Sequence, residues 1–523
     1  MLEFIRQHAA SVAGVIHGFD RLRFRGTLRR IASVRGLGSF LHYAGVLLRD
    51  AGAWMNEQTE KVKKASLKMA DEQGRPVQYV NDPSARKEQI ARDIAQRDGI
   101  KAGLVCVLTA VEPCCSFDVH RNREKKHIEL VMRWRKCLHL YHYFLHPLFG
   151  LMHMRLQTWF PFNLWVNING REWLARQLDQ QRIGYLKREN CLVCVQDIQR
   201  AQALADQQLK TDWPSMLIPI AQQVHPIHQQ MFADYPMDYY WSCQDSEFAS
   251  DILFKSPAAL SQIYGHLIRH GMQNLSCEQV MRFLGRKTPT VAGRYGTFAG
   301  EVVSYLKERP EGICLKHYVN GNSLKMYDKQ GSVLRIETTI IQPKDFKVYR
   351  GTEEKPKALQ WRMLRKGVVD LRRRAEVSKT SNERYAAAMA SAKCSKPLKD
   401  LAENVCRRTL QQGRPIRALN PMGAQDAALL ETVNRGEFAI NGFRNRDVRR
   451  HLYTTTTTTT TDPREQKRRS AATTRKLRLL RSHGLIKKVP RTHRYVLTDR
   501  GREIITTLLA ARSADAAALL KAA

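Results

Sequence analysis

The sequence has no long hydrophobic run and few acidic residues for its length. Its longest apolar stretch, Gly103 to Val111, is far shorter than the ~18–20 residues that a membrane-spanning helix needs. The first residues, Met1 to Arg6, lack the apolar region of a signal peptide. The 11 cysteines show no disulfide-framework spacing, which is typical of reduced thiols. These absences predict a cytoplasmic protein with no membrane partner.

The shortage of acids leaves a large positive charge. The 523 residues contain 49 Asp and Glu against 86 Lys and Arg, a formal net charge of +37. Repulsion at that level opposes a compact fold, so a polyanionic partner is expected, and phosphate backbones are the commonest one. DNA is the expected partner and RNA the alternative, while the oligomeric state stays open. No GxxxxGK[ST] loop occurs, so no nucleotide cofactor is expected.

Hydrophobic periodicity predicts an α+β fold with an antiparallel sheet body, a helical insertion and a C-terminal winged helix. Short apolar and aromatic runs from Gly103 to Ile168 predict the sheet. The expected domains are 1–211 (α+β with the sheet), 212–310 (helical), 311–412 (a β hairpin and a basic helix) and 413–523 (the winged helix, with a poly-threonine loop at 454–461).

Two basic segments precede the last domain. Leu22 and Phe24 alternate with Arg21, Arg23 and Arg25, which places three guanidinium groups on one face of a strand. Residues 361–390 are expected to form a basic helix. Its candidate phosphate contacts are Arg362, Arg365, Arg372 and Arg373.

The last domain has three predicted helices, at 426–435, 446–452 and 466–483. Gly484 follows the third helix as a terminating glycine. Residues 485–489 and 493–498 predict two strands joined by a short turn, and a final helix begins at Asp499.

The segments Lys476–Ile486 and Tyr495–Gly501 resemble winged-helix regulators and replication proteins. The resemblance implies that the third helix enters a DNA major groove while the wing touches the backbone. The DNA contacts it implies are Arg475, Lys476, Arg478, Arg481, Lys487, Lys488, Arg491 and Arg494. A winged helix used only for protein contacts is the alternative.

A second local pattern, Asn322 to Ile340, predicts a hairpin with its turn at Lys329-Gln330-Gly331. Leu324 and Met326 belong to the face expected to be buried. Lys325, Tyr327, Arg335 and Glu337 share the opposite, accessible face by parity. A phenol, a carboxylate and two cations are the groups that phosphoryl transfer through a tyrosyl phosphate requires. A solvated ladder of cross-strand pairs is the alternative.

The hairpin sequence Leu324–Lys329 and Leu334–Glu337 resembles the core of rolling-circle replication initiation factors of phages and plasmids. The resemblance implies that Tyr327 nicks one DNA strand, assisted by Lys325 and Arg335, with Mg²⁺ or Mn²⁺ bound by Glu337 and Asp20. The sequence departs from that pattern because it has no His-hydrophobic-His metal motif. Asp20 also shares its parity with the apolar Leu22 and Phe24.

One further acidic segment is notable. Gln244, Glu247 and Asp251 would share a face if their segment were helical, as a metal or substrate edge, as a solvated surface or as an internal counter-charge in this basic protein. The expected function is DNA binding in a mobile or extrachromosomal element, as a replication-initiator-like or transposition-related protein. The alternatives are a non-catalytic DNA- or RNA-binding regulator and a ribonucleoprotein component.

Overall fold

The structure is a computed structural model, in which the chain is divided into two compact units. The described residues are 1–122, 124, 127–285, 302–309, 312–352, 357–390, 398–403, 405–411, 413–435, 437–438, 442–453, 462–490 and 492–514. The sheet unit comprises Gly14–Leu253 and Glu337–Lys379. The C-terminal unit comprises Met1–Ala13, Phe254–Ile336 and Thr380–Ala523. Each unit is therefore built from separate segments of the chain.

The described chain contains both long and very short strands. In chain order they are β1 (Val12–Leu28), β2 (Val77–Tyr79), β3 (Gly103–Asn122), β4 (His127–His146), β5 (Gly150–Gln157), β6 (Leu164–Asn169), β7 (Tyr185–Arg188), β8 (Cys191–Val195), β9 (Tyr239–Phe254), β10 (Val302–Arg309), β11 (Gly312–Val319), β12 (Asn322–Lys329), β13 (Val333–Ile340), β14 (Lys347–Arg350), β15 (Gln360–Met363), β16 (Thr409–Gln411), β17 (Arg414–Ile416), β18 (Ile486–Lys488) and β19 (Tyr495–Leu497).

The helices of the described chain are α1 (Leu2–Gln7), α2 (Val34–Tyr43), α3 (Ala51–Glu72), α4 (Lys87–Arg97), α5 (Gly170–Gln180), α6 (Ile198–Gln207), α7 (Trp213–Val224), α8 (His228–Met231), α9 (Pro257–Gln273), α10 (Cys277–Phe283), α11 (Leu371–Met389), α12 (Leu398–Glu403), α13 (Ala424–Asn434), α14 (Asn445–Leu452), α15 (Pro463–Ser482) and α16 (Asp499–Ser513). Within the part of the chain that the structure describes, no helix combines the length and the apolar composition that a membrane crossing requires.

The sheet unit is built on one large sheet, as the α+β prediction requires. Its strands follow the order β9-β1-β6-β5-β4-β3-β2, and Glu337–Ile340 of β13 lie next to β9. The hairpins β3–β4, β4–β5 and β5–β6 are antiparallel, whereas β2 pairs parallel with β3, so the sheet is mixed. Leu22 and Phe24 of β1 are fully buried, which confirms the alternation predicted for this strand.

The C-terminal unit contains the strands β10, β11, β12 and the first half of β13, in that order. On β12, Leu324 and Met326 are buried while Lys325 and Tyr327 are half-buried, as alternation predicts. On β13, by contrast, all eight residues are buried. A strand covered on both faces has no accessible side, so the prediction of an accessible face is wrong for Arg335 and Glu337.

The end of the chain folds in the predicted order of elements. Helices α13, α14 and α15 precede the β18–β19 hairpin, which α16 follows. Their apolar residues share one core that includes Leu430, Phe443 and Leu480. Gly484 follows α15 with a φ of +71°, the left-handed conformation that glycine adopts without strain at a helix end. The poly-threonine segment 454–461 and Arg491 lie outside the described residues.

Two helical predictions are wrong only in part, because the region 212–310 contains α7, α8, α9 and α10, and α11 covers most of 361–390. The region 212–310 contains the long strand β9, so Gln244, Glu247 and Asp251 lie on a strand and not on a helix face. The expected helix at 361–390 begins only at Leu371, because Gln360–Met363 form β15 and Gly367 bridges to Ser242. In both places pairing between distant segments overrides the local helical pattern.

A buried ion pair joins α5 to β9 inside the sheet unit. The side chains of Arg171 and Asp251 are 1% and 3% exposed, with Nη2 2.9 Å from Oδ2. Arg171 Nη2 also donates to the carbonyl oxygen of Ala249 at 3.3 Å. Removing one partner of such a pair leaves the other charge buried without its counter-charge, which is strongly destabilising.

We therefore expect Asp251→Ala to lower the free energy of unfolding of the sheet unit by about 3–5 kcal/mol. Urea unfolding followed by circular dichroism measures the change. The matched control is Glu88→Ala, which removes a carboxylate paired with Arg92 on the exposed face of α4 and is expected to cost less than about 1 kcal/mol. Equal effects of the two variants would contradict a structural role for the buried pair.

Candidate nucleic-acid interface and carboxylate cluster

Helix α15 presents a basic face with exposed cations toward both of its ends. Asp462 caps the helix by accepting a hydrogen bond from the Arg464 backbone N–H, and Pro463 occupies its first turn. Leu477, Leu479 and Leu480 face the core. The exposed cations recur at helical spacing: Arg464, Lys467, Arg468, Arg475, Arg478 and Arg481. Twenty residues extend about 30 Å, so the row of cations is long enough to follow a phosphate backbone.

The single acid of α15 neutralises only one end of this face. Glu465 pairs with Arg468 and Arg469 at 2.7 Å each, and these guanidinium groups lower the pKa of its carboxyl to about 2. Arg475, Arg478 and Arg481 lie further along the helix and are exposed. The C-terminal half of the helix therefore carries the larger excess of positive charge.

Not every predicted contact on this module faces solvent. Lys476 is half-buried, with its ammonium 5.9 Å from the ring centre of Tyr453, so its position suits internal packing. On the hairpin, Lys487 and Lys488 are exposed, and Arg494 is half-buried. Phe443 exchanges two backbone hydrogen bonds of 2.8 Å with Tyr495. This pairing fixes the hairpin against the start of α14.

Three carboxylates meet in the sheet unit. Asp20 lies on β1, Glu247 on β9 and Glu337 on β13, which are neighbouring strands. Their ligand oxygen atoms all lie within 4.8 Å of one another. Asp20 and Glu337 are buried, and Glu247 is half-buried. The structure thus brings together the two residues that the hairpin resemblance implies as metal ligands, and it adds a third.

Arginines of β1 surround this carboxylate cluster. Arg21 Nη2 lies 2.9 Å from Glu247 Oε1, and Arg23 Nη1 lies 3.1 Å from Asp245 Oδ2. Burial alone would lower the pKa of Arg21, but the carboxylates, with Glu247 the strongest, raise it overall. Arg21 therefore places a positive charge beside the carboxylate cluster.

The chemistry of the cluster suits a hard divalent cation. Mg²⁺ and Mn²⁺ prefer carboxylate oxygen ligands, and sites for phosphoryl transfer use one or two carboxylates with phosphate oxygens completing the shell. Asp20 also accepts a hydrogen bond from the side-chain amide of Asn190 at 2.9 Å, which orients one of its oxygens. Asp20, Glu247 and Glu337 are therefore the residues that would hold the metal.

The remaining residues of the hairpin prediction lie in the C-terminal unit. Tyr327 and Lys325 are half-buried on β12, where they pair in register with Cys314 and Lys316. Arg335, on the first half of β13, is only 1% exposed. The structure therefore gives Arg335 a buried position and leaves Tyr327 and Lys325 partly accessible.

The other predicted cations occupy varied surroundings. Arg25 donates to the side chain of Asn163 at 3.0 Å, and its guanidinium lies 5.6 Å from the ring centre of Trp165. Arg372 pairs with Glu376 on the surface of α11. Arg362, Arg365 and Arg373 lie on β15, on the loop that follows it and on α11.

Sequence reasoning missed Glu247 as a partner of Asp20 and Glu337. The signal was present in the polar segment from Gln244 to Asp251, but a helical interpretation hid its meaning. On a strand, Asp245 and Glu247 are two residues apart and share a face, and they pair with Arg23 and Arg21 in the structure.

Comparison with known proteins gives no relative. No family model, no curated protein and no solved structure matches this chain.

Proposed function

We propose that the chain is a DNA-binding protein of a mobile or extrachromosomal element and that its last described elements act as a winged helix. The observation that carries this proposal is the exposed basic face of α15, followed directly by the Lys487 and Lys488 hairpin. A helix of this kind fits a major groove, and an adjoining hairpin reaches the flanking backbone. The net charge of +37 supports a polyanionic partner.

The test is duplex binding by a variant carrying Arg478→Ala and Arg481→Ala. Two phosphate contacts are lost, so we expect at least about ten-fold weaker binding. We also expect the salt slope, the slope of log affinity against log salt concentration, to become shallower by about two. Fluorescence anisotropy with a labelled duplex, repeated across salt concentrations, measures both quantities.

The matched control removes Arg92 and Arg97, two exposed cations of α4 in the sheet unit. It lowers the total charge equally and is expected to leave affinity and salt slope nearly unchanged. An unchanged salt slope in the α15 variant would assign that face to protein contacts. RNA that co-purifies with the chain, identified by sequencing, would instead favour the ribonucleoprotein alternative.

A second proposed activity is metal-dependent cleavage of one DNA strand. It is supported by the proximity of Asp20, Glu247 and Glu337 and by the resemblance of the hairpin around Tyr327 to rolling-circle initiation factors. A divalent metal there would polarise a phosphate oxygen and offset the charge that develops during the reaction. In this proposal the phenolic oxygen of Tyr327 loses its proton to water and bonds to phosphorus, while the bond from phosphorus to the sugar oxygen breaks and that oxygen takes up a proton from water.

A further inference from the structure

A strongly cationic cleft lies beside the β14–β15 ribbon of the sheet unit. Its volume is about 520 Å³. Five of the described residues that line it are cationic and none of those described residues is acidic: the cations are Lys344, Arg350, Arg362, Arg365 and Lys366. Like charges gathered around a concave surface repel one another, so the cleft suits an anionic ligand.

One buried carboxylate beside the cleft offsets only part of this charge. The side chain of Asp370 is 0% exposed, and its Oδ2 accepts from the backbone N–H and Nε of Arg365 at 3.1 and 3.2 Å. Its Oδ1 accepts from Arg373 at 2.9 Å, and Arg350 Nε lies 3.7 Å from Oδ2. Among the described residues, the carboxylate of Asp370 therefore faces three guanidinium groups.

The most enclosed of the five cations, Arg350, is held in place by the fold. Arg350 is 7% exposed and donates to the carbonyl oxygens of Gly351 and Met363 at 3.2 Å each. Burial lowers the pKa of Lys366, and the guanidinium groups of Arg374 and Arg25 lower it further. An anion in the cleft would relieve this repulsion.

The outer face of the same ribbon carries exposed aromatic rings. Tyr349 and Trp361 are directly opposite each other on β14 and β15, with ring centres 5.6 Å apart. They are 56% and 69% exposed. Large aromatic rings at the surface are suited to stacking on nucleic-acid bases. Such stacking requires unpaired bases, since those of a duplex are already stacked on one another.

We propose that the β14–β15 ribbon and its cleft bind single-stranded nucleic acid, with backbone phosphates in the cleft and unpaired bases on Tyr349 and Trp361. The ribbon is only two β-strands wide. A flexible single strand of nucleic acid that passes around the edge of the ribbon therefore contacts both of its faces. This inference rests on the proposed nucleic-acid-binding function and adds a site for a strand that has been separated from its complement.

The experiment compares binding of short oligothymidine and oligouridine strands with binding of a duplex of the same length. For the full chain carrying Tyr349→Ala and Trp361→Ala, we expect single-strand affinity to fall roughly ten-fold for each ring lost. Duplex affinity is expected to remain unchanged. Lys344→Ala with Arg362→Ala is expected to reduce the salt slope of single-strand binding by about 1.4, since each phosphate contact to a single strand contributes about 0.7. Trp134→Ala, which removes a 75% exposed ring from β4, is the matched control.

Unchanged single-strand affinity in the ribbon variants would overturn this inference and would assign the exposed rings to a protein partner. Equal losses for duplex and single strand would overturn it as well. If inorganic phosphate or a free nucleotide binds the cleft with higher affinity than the single-stranded oligonucleotides do, the cleft is a small-molecule site instead. The α15 variant reports on the proposed function separately, because its effect is measured on the duplex.

Discussion

Replacing Glu337 with Gln is expected to abolish nicking of supercoiled DNA in the presence of Mg²⁺ or Mn²⁺. The substitution keeps the size and shape of the side chain and removes the charge that would bind the cation. Loss of a metal that stabilises a phosphoryl-transfer transition state costs several kcal/mol, which is about a hundred-fold or more in rate. Conversion of supercoiled to open-circular DNA on a gel measures that rate.

The metal and the nucleophile are tested by separate readouts. Glu337→Gln and Glu247→Gln are each expected to weaken Mn²⁺ binding measured by calorimetry, whereas Tyr327→Phe is expected to leave it unchanged. Tyr327→Phe is expected to abolish both the nick and the covalent protein–DNA adduct. Glu57→Gln, on the exposed face of α3, is the control and is expected to change neither. If the unaltered chain binds DNA but does not nick it in the presence of either Mg²⁺ or Mn²⁺, the cleavage proposal fails and the binding proposal remains.

Mild acid is expected to destabilise the sheet unit strongly. His142 and His225 are fully buried, and burial lowers their pKa to about 3. Their pKa in the unfolded chain is about 6.5, so protons bind the unfolded state preferentially. The stabilisation is complete above pH 6.5 and declines as the pH falls. Each histidine contributes about 1.4 kcal/mol per pH unit between 6.5 and the lowered pKa.

The measurement is the free energy of unfolding from urea titrations between pH 7 and 5, above the range in which most carboxylates titrate. His142→Gln keeps a partner for the Ser66 hydroxyl, which lies 2.6 Å from the imidazole Nε2. The His142→Gln substitution is expected to reduce the slope of the free energy of unfolding against pH by about 1.4 kcal/mol per pH unit. His42→Gln on the exposed part of α2 is the control. A slope identical in all three proteins would show that His142 takes up its proton without unfolding.

Local signals were sufficient for the C-terminal elements. The third helix has apolar residues at helical spacing and a glycine after its end, and both signals act within a few residues of chain. It begins at Pro463, three residues before the predicted start. Short helices and a tight hairpin need few contacts between distant segments. The predicted order of elements at 426–513 therefore agrees with the structure.

Long-range pairing explains what the sequence could not reveal. The strand β9 is rich in polar residues and reads as an amphipathic helix, but its place beside β1 makes it a sheet strand. The parity of Asp20 with Leu22 and Phe24 predicted a buried side chain, and Asp20 is buried. That parity could not reveal that Glu337, far along the chain, is buried beside it.

The division of β13 between the two units has a consequence for protein synthesis. Glu337 is the first residue of the second sheet-unit segment, and all of Phe254–Ile336 precedes it in the other unit. A ribosome must therefore translate that entire intervening segment before the last of the three carboxylates emerges. A growing chain that stops between β9 and this point contains β1 and β9 but has only two members of the cluster, so termination within Phe254–Ile336 releases a fragment that lacks the third carboxylate.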